Sequence, residues 1–344
     1  MACAFWGSRF ACAQEPAEKD AEASASPSAI RWGDTAVSKW KVGVVVKAQG
    51  NMTGGLATTP IFMDWPEQTV KVVEEESSPQ VKKVSYRVLD SGVRQMVVSI
   101  PKLEEGDEAS ASITFEITKR LIESPEETAE LVIPKKASKE LTKYLGPSPY
   151  IEIADAKIKQ ASATISTDQE EAWQQVESIF DWVRENIRYQ FATEIKPAPV
   201  ALRDKVGDCE ELTSLFIAFC RLHKIPARAV WVPGHCYPEF YLQDAAGNGH
   251  WYPCQAAGAA HDFGRMPEIR PILQKGDNFK VPEEAKPQRY VKQFLKAASS
   301  EAPPEVKFLL QQVGPTLIYP QGGGKPVERN ANTRADGLEN SEKE

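Results

Sequence analysis

Hydrophobic and polar positions follow two different periods along the chain. In the first third the period is two. Lys39–Val46, Gln68–Val73, Val81–Val88, Arg94–Ile100 and Ser110–Lys119 are rich in β-branched residues, and several alternate apolar with polar positions. Clusters of turn-forming residues separate them, such as Asn51-Met52-Thr53-Gly54-Gly55 and Glu104-Glu105-Gly106-Asp107. The pattern predicts an antiparallel, all-β, sandwich-like domain over residues 38–122. No side chain in it suggests chemistry.

After a linker rich in Glu, Pro and Lys (Glu123–Lys139) the period lengthens. Short helical patterns occur around Ser138–Leu145 and Ile151–Thr167. Trp173, Val176, Ile179, Phe180, Val183 and Ile187 then recur at helical spacing and form one apolar face, as a packing helix requires. A second helix is predicted from Asp208, which stands three residues before Glu211 in a capping-box spacing. Leu212, Leu215, Phe216, Phe219 and Leu222 form its stripe, and Pro226 stops it near Lys224. Arg228–Val232, Cys236–Leu242 and His250–Cys254 read as strands, the last two joined by the turn-rich Asp244–Gly249. Helices followed by strands predict an α+β domain over 138–315. Gln288–Lys296 and Val306–Gln312 fit two more strands, or a strand and a helix. From Pro320 the polar, Gly-rich end reads as a disordered tail over 320–344.

Composition changes this picture little. The 344 residues carry a formal charge of -7, spread along the chain, which argues against nucleic acid or an anionic membrane as partner. No run of about 18 apolar residues is present to span a bilayer. Residues 1–13 end in the small-residue pattern Ala11-Cys12-Ala13. They read as a truncated signal peptide, followed by a flexible linker over 14–37, and predict an exported, periplasmic or secreted protein. Of six cysteines, Cys209, Cys220, Cys236 and Cys254 fall in one short window. They are too few for a disulfide scaffold and lack the paired spacing of a structural zinc site.

Cys209 is the cysteine placed for chemistry. It follows the N-cap Asp208, where unpaired N–H groups and the helix dipole favour a thiolate. Glu210 and Glu211 oppose that, and a nearby imidazolium would outweigh them. His235, opening a strand after Pro233-Gly234, is the candidate base. His223 lies about 21 Å along the same helix at ~1.5 Å per residue and is out of reach; His250 and His261 stay open as alternatives. If His235 faced Gln255 across an antiparallel pair, Cys236 would face Cys254 near disulfide range. The centre of the connecting loop, however, suggests a register shifted by a few residues.

Val206-Gly207-Asp208-Cys209, Leu215-Phe216-Ile217-Ala218, Arg221-Leu222-His223-Lys224-Ile225-Pro226-Ala227-Arg228 and His235-Cys236-Tyr237-Pro238-Glu239, in that order, resemble the bacterial transglutaminase-like superfamily. The preceding Asp181-Trp182-Val183-Arg184-Glu185-Asn186-Ile187-Arg188-Tyr189 is similar too, so the likeness spans roughly residues 140–260. It implies a papain-like Cys-His-Asp fold, with Cys209 as nucleophile and His235 as base. The third position falls in Trp251-Tyr252-Pro253-Cys254-Gln255, where Gln255 replaces the family's Asp. Its amide oxygen can hold the imidazole tautomer without adding charge. Asp262 and Asp244 are the nearby carboxylates open to stand in for it. Glu239 lies on the face of His235 and is either a support for the site or a solvated strand position. The expected function is hydrolysis of an amide or peptide, or acyl transfer, through an acyl-Cys209 intermediate. The substrate would be a peptide or protein, cell-envelope peptide included, and no cofactor is implied. The rival from another class is an inactive fold that binds peptide or glycan. A metal site built from His235, Cys209 and Cys236 or His250 is a third option with little support in the spacing.

Overall fold

The computed structural model describes residues 30–330; the expected leader, most of the linker after it and the last part of the expected tail lie outside the described residues. The N-terminal strands are β1 (Arg31–Lys47), β2 (Met52–Pro60), β3 (Gln68–Ser77), β4 (Lys83–Val88), β5 (Arg94–Leu103) and β6 (Glu108–Glu123). Period-two alternation puts Trp40, Val42, Val44 and Val46 of β1 on one face. Ile113, Phe115 and Ile117 of β6, with Met96, Val98 and Ile100 of β5, complete one apolar cluster between two sheets.

Next come α1 (Lys139–Thr142), α2 (Ala156–Ser162), α3 (Ala172–Asn186), β7 (Arg188–Tyr189), α4 (Ala198–Asp204), β8 (Val206–Gly207) and α5 (Cys209–Leu222). Strands β9 (Ala227–Val232), β10 (His235–Gln243), β11 (Gly249–Pro253) and β12 (Gln274–Lys275) follow, and they form one antiparallel sheet in the order β11-β10-β9-β12. Helix α5 packs on β10 and β9 and against α2, α3 and α4. Its residues from Glu211 to Arg221 are all buried, so it is the central helix of this half. α3 turns its predicted face inward, with Trp173 edge-on to Phe240, Tyr252 and Phe263.

The chain then returns to the first sheets through β13 (Phe294–Lys296), β14 (Ser299–Ser300), β15 (Glu305–Gln312), β16 (Thr316–Tyr319) and β17 (Val327–Arg329). β15 pairs with Trp40–Lys47 and β16 with Thr35–Val37, so the two run as one interrupted strand along a single edge of β1. β13 and β14 pair with β2. The sheets are thus β17-β16-β1-β6-β3, with β15 also on β1, and β13-β2-β5-β4, with β14 also on β2.

Several sequence expectations need correction here. β1 begins at Arg31, inside the expected linker, because β6 and β16 offer partners to its first half. The Gly-rich run expected as a turn is strand β2: pairing with β5 outweighs local composition, and Gly54 takes φ +61°. Val327–Arg329 pairs with β16, so strand structure continues into the expected tail. Residues 305–312 join the first sheet, away from the sheet that packs on α5.

Buried polar groups join the two halves. The Gln68 side chain donates to Ile272 O (2.9 Å) and accepts from Ile272 N–H (2.6 Å). Lys119 donates to the carbonyls of Glu268 and Arg270 (2.8 Å each); burial pushes its ammonium down to about 8. Lys275 lies between Glu67 (2.6 Å) and Glu239 (3.1 Å). Glu239 also pairs with Arg228, so it belongs to a buried charge network and is not a solvated position.

At the C-terminal end of α5, Arg221 is fully buried. It forks onto both oxygens of Asp277 (2.9 and 2.8 Å) and donates to Gly146 O and Ala227 O (2.8 Å each). Asp277→Ala would leave that guanidinium buried without its counter-charge. It is expected to destabilise the fold by about 3–5 kcal/mol, read from urea denaturation midpoints.

Candidate active site

The site is built at the start of α5. Asp208 accepts a hydrogen bond from Glu210 N–H (2.8 Å), and Glu211 Oε2 accepts from Asp208 N–H (2.8 Å), which completes the expected capping box. The other Glu211 oxygen accepts from Lys196 N–H (2.6 Å). Gly207 is required by space: a Cβ there would stand 2.5 Å from Glu211 Cβ. β8 carries Gly207 and is held parallel to β7. The turn into the helix is therefore fixed from both sides, and Cys209 with it.

The opposing charges expected from the sequence are managed locally. Glu211 is committed to the cap. Although burial works against it, its hydrogen bonds with Asp208 and with backbone N–H groups keep it ionised, below the usual range. Asp208 moves the other way: burial, the Glu211 hydrogen bond and the Cys209 thiolate push its carboxyl up to about 8. Glu210 is met by Arg289, whose guanidinium approaches Glu210 Oε2 (3.2 Å), donates to Glu210 O (2.8 Å) and to Ser214 Oγ, and lies over Trp231. Arg289 was not identified from the sequence; it lies far along the chain, among residues with no motif.

Strand β10 brings His235 and Cys236 to the partly buried Cys209. The Cys236 thiol donates towards Cys209 O (3.5 Å) and Thr213 Oγ1 (3.7 Å). The neighbouring Cys236 thiol is the strongest influence holding the Cys209 pKa well below the ordinary thiol range; burial opposes this, and the nearby His235 adds to it. For His235, burial favours the neutral ring, but contact with the Cys209 thiolate outweighs it and raises the imidazole. His235 Nε2 is 2.9 Å from Gln255 Oε1. The buried Nδ1 has no conventional hydrogen bond and is the nitrogen left to exchange a proton with Cys209.

Cys209, His235 and Gln255 are thus brought together. The other candidates are not. His223 bonds Ser162 and Thr167 at the far end of α5 (3.1 Å each). His250 lies by Asp244 (4.0 Å), and His261 pairs with exposed Asp181 (2.8 Å). Asp244 is spent on its own turn, bonding Ala246 and Asn248, and Asp262 pairs with Arg265 (3.3 Å). Neither carboxylate takes the place of Gln255 in its hydrogen bond to His235.

Glu239 pairs with Pro253 and Phe240 with Tyr252, two residues out of register with a His235–Gln255 pairing. Cys254 therefore does not face Cys236. Both are free thiols, and Cys236 faces the start of α5. Among the described residues, no group of three or more His, Cys, Asp or Glu side chains is placed to hold a metal ion. No helix among them is long and apolar enough to cross a membrane.

Gln255 opens a loop anchored at three points. Its N–H donates to Asp262 O (2.8 Å), and Arg184 of α3 donates to Gln255 O (2.9 Å) and Ala259 O (3.4 Å). Arg184 belongs to the motif before β7, so the signal for it was present while its role was not.

Residues 159–256 match the model of the transglutaminase-like superfamily, so the resemblance read from the sequence holds for the segment carrying Cys209, His235 and Gln255. Among solved structures, the chain is similar to a protein from Cytophaga hutchinsonii provisionally described as a cysteine protease. Identity is 16% over 82% of this chain and 98% of that one, with a TM-score of 0.51, a likeness of fold. A protein from Parabacteroides distasonis, provisionally described as a protease, aligns at 11% identity over 60% of this chain and 64% of that one. Its TM-score of 0.25 supports no argument. No curated protein matches the chain.

A thiol with a lowered pKa stays ionised below the ordinary value of about 8.5 and loses reactivity only when pH falls through its own pKa. Iodoacetamide is therefore expected to keep labelling Cys209 as pH falls below about 8.5, with less loss of rate than an ordinary thiol shows. The deeply buried Cys220, Cys236 and Cys254, whose thiols burial pushes well up, are expected to resist. Peptide mapping of label against pH checks both; a rate that falls tenfold per unit below about 8.5 would count against a depressed pKa.

Proposed function

We propose that this chain is a cysteine hydrolase or acyltransferase acting on amide bonds of a peptide or protein through an acyl-Cys209 intermediate. The observation that carries the reading is the contact chain from Cys209 to His235 to Gln255 at the start of a capped helix. The thiolate attacks the carbonyl carbon. The imidazolium then gives its proton to the departing amine as the C–N bond breaks. In the second half His235 takes a proton from water, or from an acceptor amine, as that group attacks the thioester. Gln255 accepts the Nε2–H and keeps Nδ1 towards the sulfur, the orienting part of a triad without its charge. Asp208 occupies the Glu210 N–H, which points to the Cys209 N–H as an oxyanion donor.

Hydrolysis is favoured over transfer by analogy of fold alone. Cell-envelope peptide as substrate and export from the cell rest on the N-terminal composition. The shared core of the first two sheets supports their reading as a separate sandwich-like domain, with β13–β17 included in it.

Turnover of thiol-directed amide and ester probes tests the reading. Cys209→Ala is expected to abolish it, and His235→Ala to lower it by about 10²–10⁴-fold. Gln255→Ala should cost on the order of 10²-fold. Gln255→Glu, equal in length, should raise the rate by placing charge beside the imidazolium. Full turnover by Cys209→Ala would sink the proposal, and probe binding without turnover in every form would point to a binding module.

A further inference from the structure

We propose that Cys209 and Cys236 form a reversible redox pair, in which a hydroperoxide oxidises Cys209 and Cys236 captures the product as an intramolecular disulfide. The proposal needs the Cys209 thiolate of the functional reading but not its amide chemistry.

The geometry carries it. Cys236 directs its Sγ at the backbone oxygen of Cys209, 3.5 Å away, which sets the two cysteines side by side, and the Cys236 thiol favours the neighbouring thiolate. The roles are unequal. Cys209 is partly open to solvent, at a helix start that favours its anion; Cys236 is 1% exposed, behind it, in the apolar core. Partly accessible thiolate and sheltered second thiol are the two parts of a redox-sensing pair. Neither Cys220 nor Cys254 is so placed: both are fully buried, and neither contacts Cys209 in the way Cys236 does. In the amide chemistry Cys236 supports the Cys209 thiolate but makes and breaks no bond of its own, so its sulfur remains available for a second use.

The chemistry balances with one oxidant. The Cys209 thiolate attacks the peroxide oxygen, the O–O bond breaks, and an alcohol or water leaves once protonated; the sulfur is now a sulfenic acid. Cys236 sulfur then attacks the Cys209 sulfur, the S–O bond breaks, and hydroxide leaves as water with the proton from Cys236. While Cys209 is ionised, burial and the adjacent negative charge keep Cys236 protonated, well above the ordinary thiol range. Oxidation removes that charge, and His235 is at hand to relay the proton. Two external thiols restore both cysteines by exchange. Disulfide formation disables the acyl chemistry while sparing Cys209 from the irreversible sulfinic state.

The test uses the reduced, full-length chain treated with one to a few equivalents of hydrogen peroxide, then blocked and digested without reductant. Trypsin leaves Cys209 with Cys220 on one peptide and Cys236 with Cys254 on another, so fragmentation spectra must assign the linked pair. The expected product is a Cys209–Cys236 link, about 2 Da lighter than the dithiol and fully reversed by dithiothreitol. In Cys236→Ser, which keeps a donor beside the Cys209 thiolate but no second sulfur, the same dose should carry Cys209 to a form about 32 Da heavier that dithiothreitol does not reverse. Sulfinic Cys209 in the unmutated chain without the link, a link to Cys254 or between chains, or unoxidised Cys209 would each overturn the proposal. If iodoacetamide still labels Cys209 at about pH 6 while no link forms, the redox pair fails and the thiol-site reading stands. If the link forms while the amide and ester probes are never turned over, the reverse holds.

Discussion

The first turn of α5 is the constraint from which the rest of the site follows. A helix start leaves N–H groups without partners, and here Asp208 and Glu211 use that need to lock the backbone on both sides of Cys209. Only glycine fits at 207, because the Glu211 side chain lies against its Cα. One local solution therefore fixes the position of the sulfur, turns a nearby acid into a structural acceptor, and leaves a second acid largely protonated near neutrality. The far end of the helix is fixed as firmly by Arg221 and Asp277. With both ends held, α5 can present its sulfur to a strand that approaches from another part of the chain.

The second constraint is the buried charge at the junction of the two halves. Glu67, in the turn before β3, and Lys119 of β6 come from the first half; Glu239 and Lys275 come from the sheet that packs on α5. Such groups add little net stability compared with apolar residues, but they strongly penalise misplacement, since separating them strands a charge. Glu239 is four residues from His235 on the same strand. The network thus bears on how β10 lies, and through it on where the imidazole and the Cys236 thiol stand relative to Cys209.

Much of this was legible in the sequence because it is local. The capping-box spacing at Asp208 and Glu211, the apolar stripe of α3 and the turn between β10 and β11 are each encoded within a few residues, and each appears where expected. Cys209, His235 and Gln255 were grouped by an ordered motif and meet in space. What escaped was set by distant partners. Arg289 neutralises Glu210 from 79 positions away. The first half of β1 needs β6 and β16 to be a strand, and the Gly-rich β2 needs β5. The facing of Cys236 depended on a register that no local signal fixes, and a shift of two residues moved it away from Cys254 and left it against Cys209.

The way β15 and β16 lie along β1 bears on how the protein is made. During synthesis the first strand emerges early, and β6 can cover one of its edges after about eighty more residues have appeared. Its other edge has no partner until residues 305–319 leave the ribosome, near the end of the chain. Until then β1 offers an open, valine-rich edge, the kind that recruits foreign strands. Closure of the sheet is a late, long-range event, entropically slow. The segment that carries the thiol site receives its last supports, Asp277 on Arg221 and Arg289 on Glu210, before the strands that seal this edge appear.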